Sequence, residues 1–153
     1  ILITGARIPM FFQSEFRQMP TLRKGRPESE CELHPETAKA LGVKAGDWVS
    51  IETERGRCRQ KVKIFEGIDP KVVHAQHGWW FPEENSADHG NWRSNANALT
   101  SMQPPYCSAM GTYQLRALLC KVVPVEESEE PWQPNLPDTF DSNVGEIQQW
   151  DVE

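Results

Sequence analysis

The chain has 153 residues, of which 38% are apolar and 25% charged, a composition that fits one globular core of about 150 residues. No apolar run approaches the ~18 residues of a bilayer-spanning helix, so membrane insertion is not expected. The net charge of −6 is uneven: residues 124–153 carry nine acids and no Lys or Arg, which leaves sixteen basic against thirteen acidic side chains in residues 1–123, a net +3. So small an excess argues against nucleic-acid binding.

The chain opens on an apolar, strand-like run, Ile1 to Thr4, without an initiator Met, and reads as a piece of a longer polypeptide. From Gly5 to Glu28 no period of two or 3.6 is sustained, which predicts a long loop. Glu30 to Leu33 reads as a strand, and His34-Pro35 opens a short helix that Gly42 closes. Trp48 to Glu54 alternates, with Val49, Ile51 and Thr53 on one face and Ser50, Glu52 and Glu54 on the other. A hairpin at Arg55-Gly56-Arg57 leads into Cys58–Phe65, where Cys58, Gln60, Val62 and Ile64 face inward. Val72 to Gln76 is a further strand, running into the aromatic stretch His77-Gly78-Trp79-Trp80-Phe81. Residues 83–96 read as loop, Asn97 to Thr100 as a short apolar interruption, and Leu115–Val123 as the last strand. About six short strands, one or two short helices and long connections predict a closed β-barrel. The acidic, Pro-containing tail 124–153 reads as a separate segment, either disordered or wrapped on a partner.

Little catalytic chemistry is visible. His74, His77 and His89 could supply metal ligands, but positions 74 and 77 of a strand point to opposite faces. The four cysteines, Cys31, Cys58, Cys107 and Cys120, form no Cys-x-x-Cys pair and read as buried thiols. No nucleophile signature surrounds Cys107 or Ser108, and no phosphate-binding glycine motif occurs. The recognition chemistry is concentrated in residues 4–17. There Thr4, Gly5, Arg7, Phe11, Phe12, Gln13, Ser14 and Arg17 could offer amide and guanidinium donors to a diphosphate and aromatic surface to a heterocycle.

Thr4-Gly5-Ala6-Arg7 with the Phe-Phe-Gln-Ser loop, His34-Pro35-Glu36-Thr37-Ala38, Leu41-Gly42, Gly46-Asp47-Trp48-Val49, Glu54-Arg55-Gly56 and Asn97-Ala98-Leu99-Thr100 occur in this order. At these spacings the chain resembles the C-terminal molybdopterin-dinucleotide-binding domain of the dimethyl sulfoxide reductase family over residues 1–123. The resemblance implies a mainly β fold, a double-psi β-barrel of the aspartate-decarboxylase-like kind, that binds molybdopterin guanine dinucleotide within a larger molybdenum or tungsten oxidoreductase. It implies cofactor contacts at Thr4, Gly5, Arg7, Phe12, Gln13, Ser14, Arg17, Trp79, Asn97 and Arg116. Gln13 stands where the family often has His, and Arg116 where it has Lys. The metal is held through upstream domains, so the fragment alone is expected neither to catalyse nor to retain the cofactor. The implied partners are those upstream domains and an iron–sulfur electron-transfer subunit. A double-psi barrel that recognises protein partners, without a cofactor, is the alternative.

Overall fold

A computed structural model describes residues 1–126, apart from Arg7, Met102, Gln103 and Pro105. The site expectation at Arg7 and the expectations for residues 127–153 lie outside the described residues. Seven strands form one sheet: β1 (Leu2–Ala6), β2 (Glu30–Leu33), β3 (Trp48–Glu52), β4 (Arg57–Ile64), β5 (Val73–Gln76), β6 (Arg116–Leu118) and β7 (Lys121–Pro124), in the order β6-β1-β5-β2-β4-β3-β7. The pairs β1/β5 and β2/β4 are parallel, and β5/β2 between them is antiparallel.

The ends of this order are joined through Leu119 and Cys120 alone. Three virtual bonds of about 3.8 Å reach at most about 11 Å, whereas a flat seven-stranded sheet would hold its edges roughly 29 Å apart. The sheet therefore rolls up, as the barrel expectation required. Its inner face packs Leu2, Cys31, Leu33, Val49, Ile51, Cys58, Val62, Val73, Ala75 and Leu99 into one core. In β4 the alternation holds through Cys58, Gln60 and Val62, all buried, while Ile64 at the strand end is only partly covered.

Several expectations need correction. Leu115–Val123 is not one strand: Ala117 takes φ +60° and interrupts the β1/β6 register, and Leu119 is 84% exposed at the crossing from one edge of the sheet to the other. Three short α-helices and a 3-10 turn replace the expected one or two helices among the described residues: α1 (Pro20–Gly25), α2 (Pro35–Leu41), α3 (Asn91–Ser94) and Ala96–Leu99. Of these, α1 and α3 lie in stretches read as loop, because helices this short carry no apolar period. The cap of α2 matches expectation, with His34 accepting from the Glu36 N–H at 3.2 Å and Gly42 in the left-handed region at φ 71°. Ser50 is buried rather than outward, because Arg59 and Val123 stand directly opposite it on the two flanking strands. Cys31 and Cys58 are enclosed, but Cys107 is exposed and Cys120 is only partly covered. Burial pushes the Cys31 thiol up to about 12.

Candidate functional site

At the end of β1 the pairing with β5 slips between Thr4 and Ala6, which leaves Gly5 as an extra residue at φ +96°. Glycine adopts this conformation without steric cost, and such bulges re-aim the chain beside functional sites. Thr4 Oγ1 donates to the Leu115 carbonyl at 2.6 Å. Arg116, opposite Ile3 on β6, lays its guanidinium over the bulge: a Cβ on Gly5 would stand 3.8 Å from Arg116 Nη2. Thr4, Gly5 and Arg116 therefore form one group.

A second group rests on the aromatic run after β5. Ile8, Phe11, Trp79 and Phe81 make a small core of their own, with Met10 and Leu22 packed against it. Trp79 meets Phe11 and Phe81 edge to face, at centroid distances of 6.0 and 6.5 Å. The Arg17 guanidinium stacks 4.0 Å from the Phe11 centroid and 4.7 Å from that of Trp79. Only 1% of Arg17 is exposed, and its Nε and Nη1 have no hydrogen-bond partner among the described residues. Burial and then the Arg23 charge draw its pKa down to about 10. Trp79 is fully enclosed. Both residues thus sit beneath the loop, where they support it from inside.

The tip of that loop, Gln13 and Ser14, is tied down at three oxygens. Arg17 Nη2 donates to the Gln13 carbonyl at 3.0 Å, His77 Nε2 to Gln13 Oε1 at 2.7 Å, and Trp80 Nε1 to the Ser14 carbonyl at 2.6 Å. Gly78, at φ +67°, lets the two backbones meet: a Cβ there would stand 3.2 Å from Ser14 N and 3.3 Å from the Gln13 carbonyl. Beside the tip, Phe12, Gln13, Arg17, His77, Ile8 and Phe11 border a cavity of about 180 Å³, smaller than a typical whole-ligand pocket of about 300 Å³ or more. Phe12 is 65% exposed. In the sequence His77 stands out only as a possible metal ligand, and neither Gly78 nor Trp80 is marked as a site residue. The aromatic density of 77–81 was the available signal.

Asn97 lies in the 3-10 turn with its side chain exposed. Its N–H donates to Asn95 Oδ1 at 2.9 Å. The segment is fastened to the barrel by Gln60, whose Nε2 donates to the Gln76 carbonyl at 2.8 Å and the Ser94 carbonyl at 3.0 Å, while its Oε1 accepts from the Gln76 N–H at 3.1 Å.

The three histidines go separate ways. His74 Nδ1 is 3.0 Å from Glu32, His77 pairs with Gln13, and His89 Nδ1 meets the Glu84 carbonyl. Among the described residues no three His, Cys, Asp or Glu side chains are grouped to hold a metal ion. No helix among them is long and apolar enough to cross a membrane.

The available donors suit a phosphate-bearing, heterocyclic ligand. Arg116 can fork onto oxyanions beside a bulge without a side chain, and the Gln13 and Asn97 amides suit the edge of a base or pterin. The buried orphan nitrogens of Arg17 show that a cation is built into the support of this surface.

The family model described as "Molydopterin dinucleotide binding domain" matches residues 1–117. The dopamine dehydroxylase of Eggerthella lenta is 38% identical over 136 residues, 88% of this chain and 13% of that protein. Acetylene hydratase of Syntrophotalea acetylenica is 38% identical over 85 residues, 55% of this chain and 12% of that protein. Among solved structures, acetylene hydratase from Pelobacter acetylenicus matches with a TM-score of 0.77 at 28% identity, over 81% of this chain and 18% of that one. The chain thus spans 13% and 12% of the lengths of the two curated relatives. With the mainly β fold, the loaded loop after β1 and this match in agreement, the chain belongs to the molybdopterin dinucleotide-binding domain family of molybdenum and tungsten oxidoreductases, and its cofactor is molybdopterin guanine dinucleotide.

Proposed function

We propose that this chain works within a larger molybdenum or tungsten oxidoreductase, of the anaerobic dehydrogenase or reductase kind, as the domain that closes over the guanine dinucleotide of the cofactor. In this reading the rolled sheet is a double-psi barrel, a topology supported by the two parallel strand pairs on either side of the antiparallel β5/β2 pair. Arg116 and the backbone at Thr4 and Gly5 take phosphate oxygens, joined by Arg7. Gln13 and Ser14 hydrogen-bond the cofactor, Phe12 covers it, and Asn97 binds one edge. Arg17 and Trp79 act from below, holding the loop in its binding shape. When bound, the cofactor supplies two-electron or Lewis-acid chemistry at its metal. The metal's protein ligand comes from upstream domains, which are the first partner, and an iron–sulfur subunit would be a second.

The observation that carries this reading is the Gly5 bulge with the Arg116 guanidinium lying over it. Among the described residues no carboxylate pairs with Arg116. The alternative, a partner-recognition barrel, would leave that pairing without a purpose. The test is made in the full protein that carries this chain. Arg116→Ala and Asn97→Ala should each lower bound metal and guanine per mole of protein several-fold, with circular dichroism unchanged. Full cofactor content in both variants would refute the assignment.

A further inference from the structure

The outer face of the rolled sheet gathers positive charge at one place without a counter-charge. Along β4, Arg57, Arg59, Lys61 and Lys63 alternate with the buried Cys58, Gln60 and Val62 and so point outward. Lys63 is paired with Glu32 at 2.7 Å. Glu30 stands opposite Lys61 on β2, but its carboxylate takes Arg26 at 2.9 Å, and opposite Arg59 on β3 stands Ser50. Among the described residues no ion pair holds Arg59 or Lys61. Both rest instead on one indole: the Arg59 guanidinium and the Lys61 ammonium each lie 5.0 Å from the Trp48 ring centroid. An aromatic face attracts a cation but supplies no net charge, so two positive charges are brought together at Trp48 without an anion.

The chain itself carries acids to this place. In the pairing of β7 with β3, Pro124 stands opposite Val49, and the Val125 N–H donates to the Trp48 carbonyl at 3.1 Å. Next come Glu126-Glu127-Ser128-Glu129-Glu130, four carboxylates in five residues. Continued straight, this register would set Glu126 opposite Asp47, a like charge. Turned across β3, the segment meets Trp48 and then Lys61, which stands directly opposite Trp48 on β4. From β7 to β4 is two strand spacings, about 10 Å, and three extended residues span about 10 Å. Glu127, Glu129 and Glu130 are therefore within reach of both cations.

We infer that the acidic segment 127–130 docks across the outer face of β3 and β4, its carboxylates paired with Arg59 and Lys61 over Trp48, and so straps the tail to its own barrel. A single ion pair at a half-exposed position contributes little. Here the anions are several and are tethered at Val125, which raises their effective concentration at this face above that of any separate acidic partner. The strap uses none of the residues proposed to meet the cofactor.

The test is zero-length carbodiimide coupling in the full protein that carries this chain, with the joined peptides read by mass spectrometry. Isopeptide bonds should link Lys61 Nζ to Glu127, Glu129 or Glu130, and in a mixture of isotope-labelled and unlabelled protein they should stay within one chain. Their yield should fall several-fold in about 1 M salt, where the screening length is about 3 Å. It should fall as far in Arg59→Glu, which keeps the Lys61 amine but reverses the charge beside it. Lys61 left unjoined, or joined only to an upstream domain, to another protein or across two copies, would overturn the inference. A yield that salt or Arg59→Glu leaves unchanged would overturn it equally. Should Arg59→Glu fail to fold, the salt series on the parent protein decides.

Discussion

Gln60 is the clip that fastens the Asn97 segment to the barrel, and Gln60→Leu removes it at nearly constant volume. Its side chain is fully buried and makes three hydrogen bonds, to both backbone groups of Gln76 and to the Ser94 carbonyl. The substitution leaves three backbone groups without a partner, each costing about 1.5 kcal/mol, within the range for a buried polar group. The added leucine methyls return about 1–2 kcal/mol of apolar burial. The net loss is about 3 kcal/mol, read as a lower urea midpoint of the protein carrying the substitution. Because Ser94 leads directly into the Asn97 turn, amide exchange across residues 94–99 should speed up by about a hundredfold, the equivalent of that energy. A loss below about 1 kcal/mol with unchanged exchange would refute the idea that Gln60 holds this segment.

Two further substitutions probe the support of the site. Gly78→Ala adds a Cβ 3.2 Å from Ser14 N at a positive φ, where backbone rather than a flexible side chain must yield. It should cost about 1–2 kcal/mol in urea unfolding and speed cofactor release, and an unchanged protein would contradict the close packing of the tip. For Glu32, burial opposes the charge, but the hydrogen bonds from Lys63 Nζ at 2.7 Å and from His74 outweigh it and hold the carboxyl below its ordinary value. A carboxyl depressed on folding contributes stability that is full above its unfolded pKa, about 4.3, and is lost as pH falls through its folded pKa. Glu32→Gln should therefore lose less stability than the parent protein between about pH 5 and 3, and equal acid sensitivity would count against the Lys63–Glu32–His74 link.

What could be read from the sequence divides along physical lines. β4 was legible because Cys58, Gln60 and Val62 alternate with Arg59, Lys61 and Lys63 against a single buried face, and α2 because Pro35 and Gly42 mark its ends. The break at Ala117 was not, since a positive φ at alanine depends on tertiary pairing and leaves no mark on the sequence. α1 and α3 were hidden by their length. In the candidate site, the residues of 4–17 stood out by composition, but their division into exposed and enclosed did not. Arg17 looks like a surface cation until Phe11 and Trp79 are packed against it. His77 was visible only as an isolated imidazole, because its partner lies 64 residues earlier in the chain.

The Gly5 bulge, the 13–14 tip, Asn97 and Arg116 are the places proposed to meet the guanine dinucleotide cofactor. Amide hydrogen exchange of the full protein, compared between its cofactor-loaded and cofactor-stripped forms, tests this most directly. Slower exchange is expected on loading at residues 4–5, 13–14, 97–98 and 115–116, with β3 unchanged and the 57–59 end of β4 unchanged. Equal exchange at those four places, or protection confined to β3 and the 57–59 end of β4, would contradict the proposal.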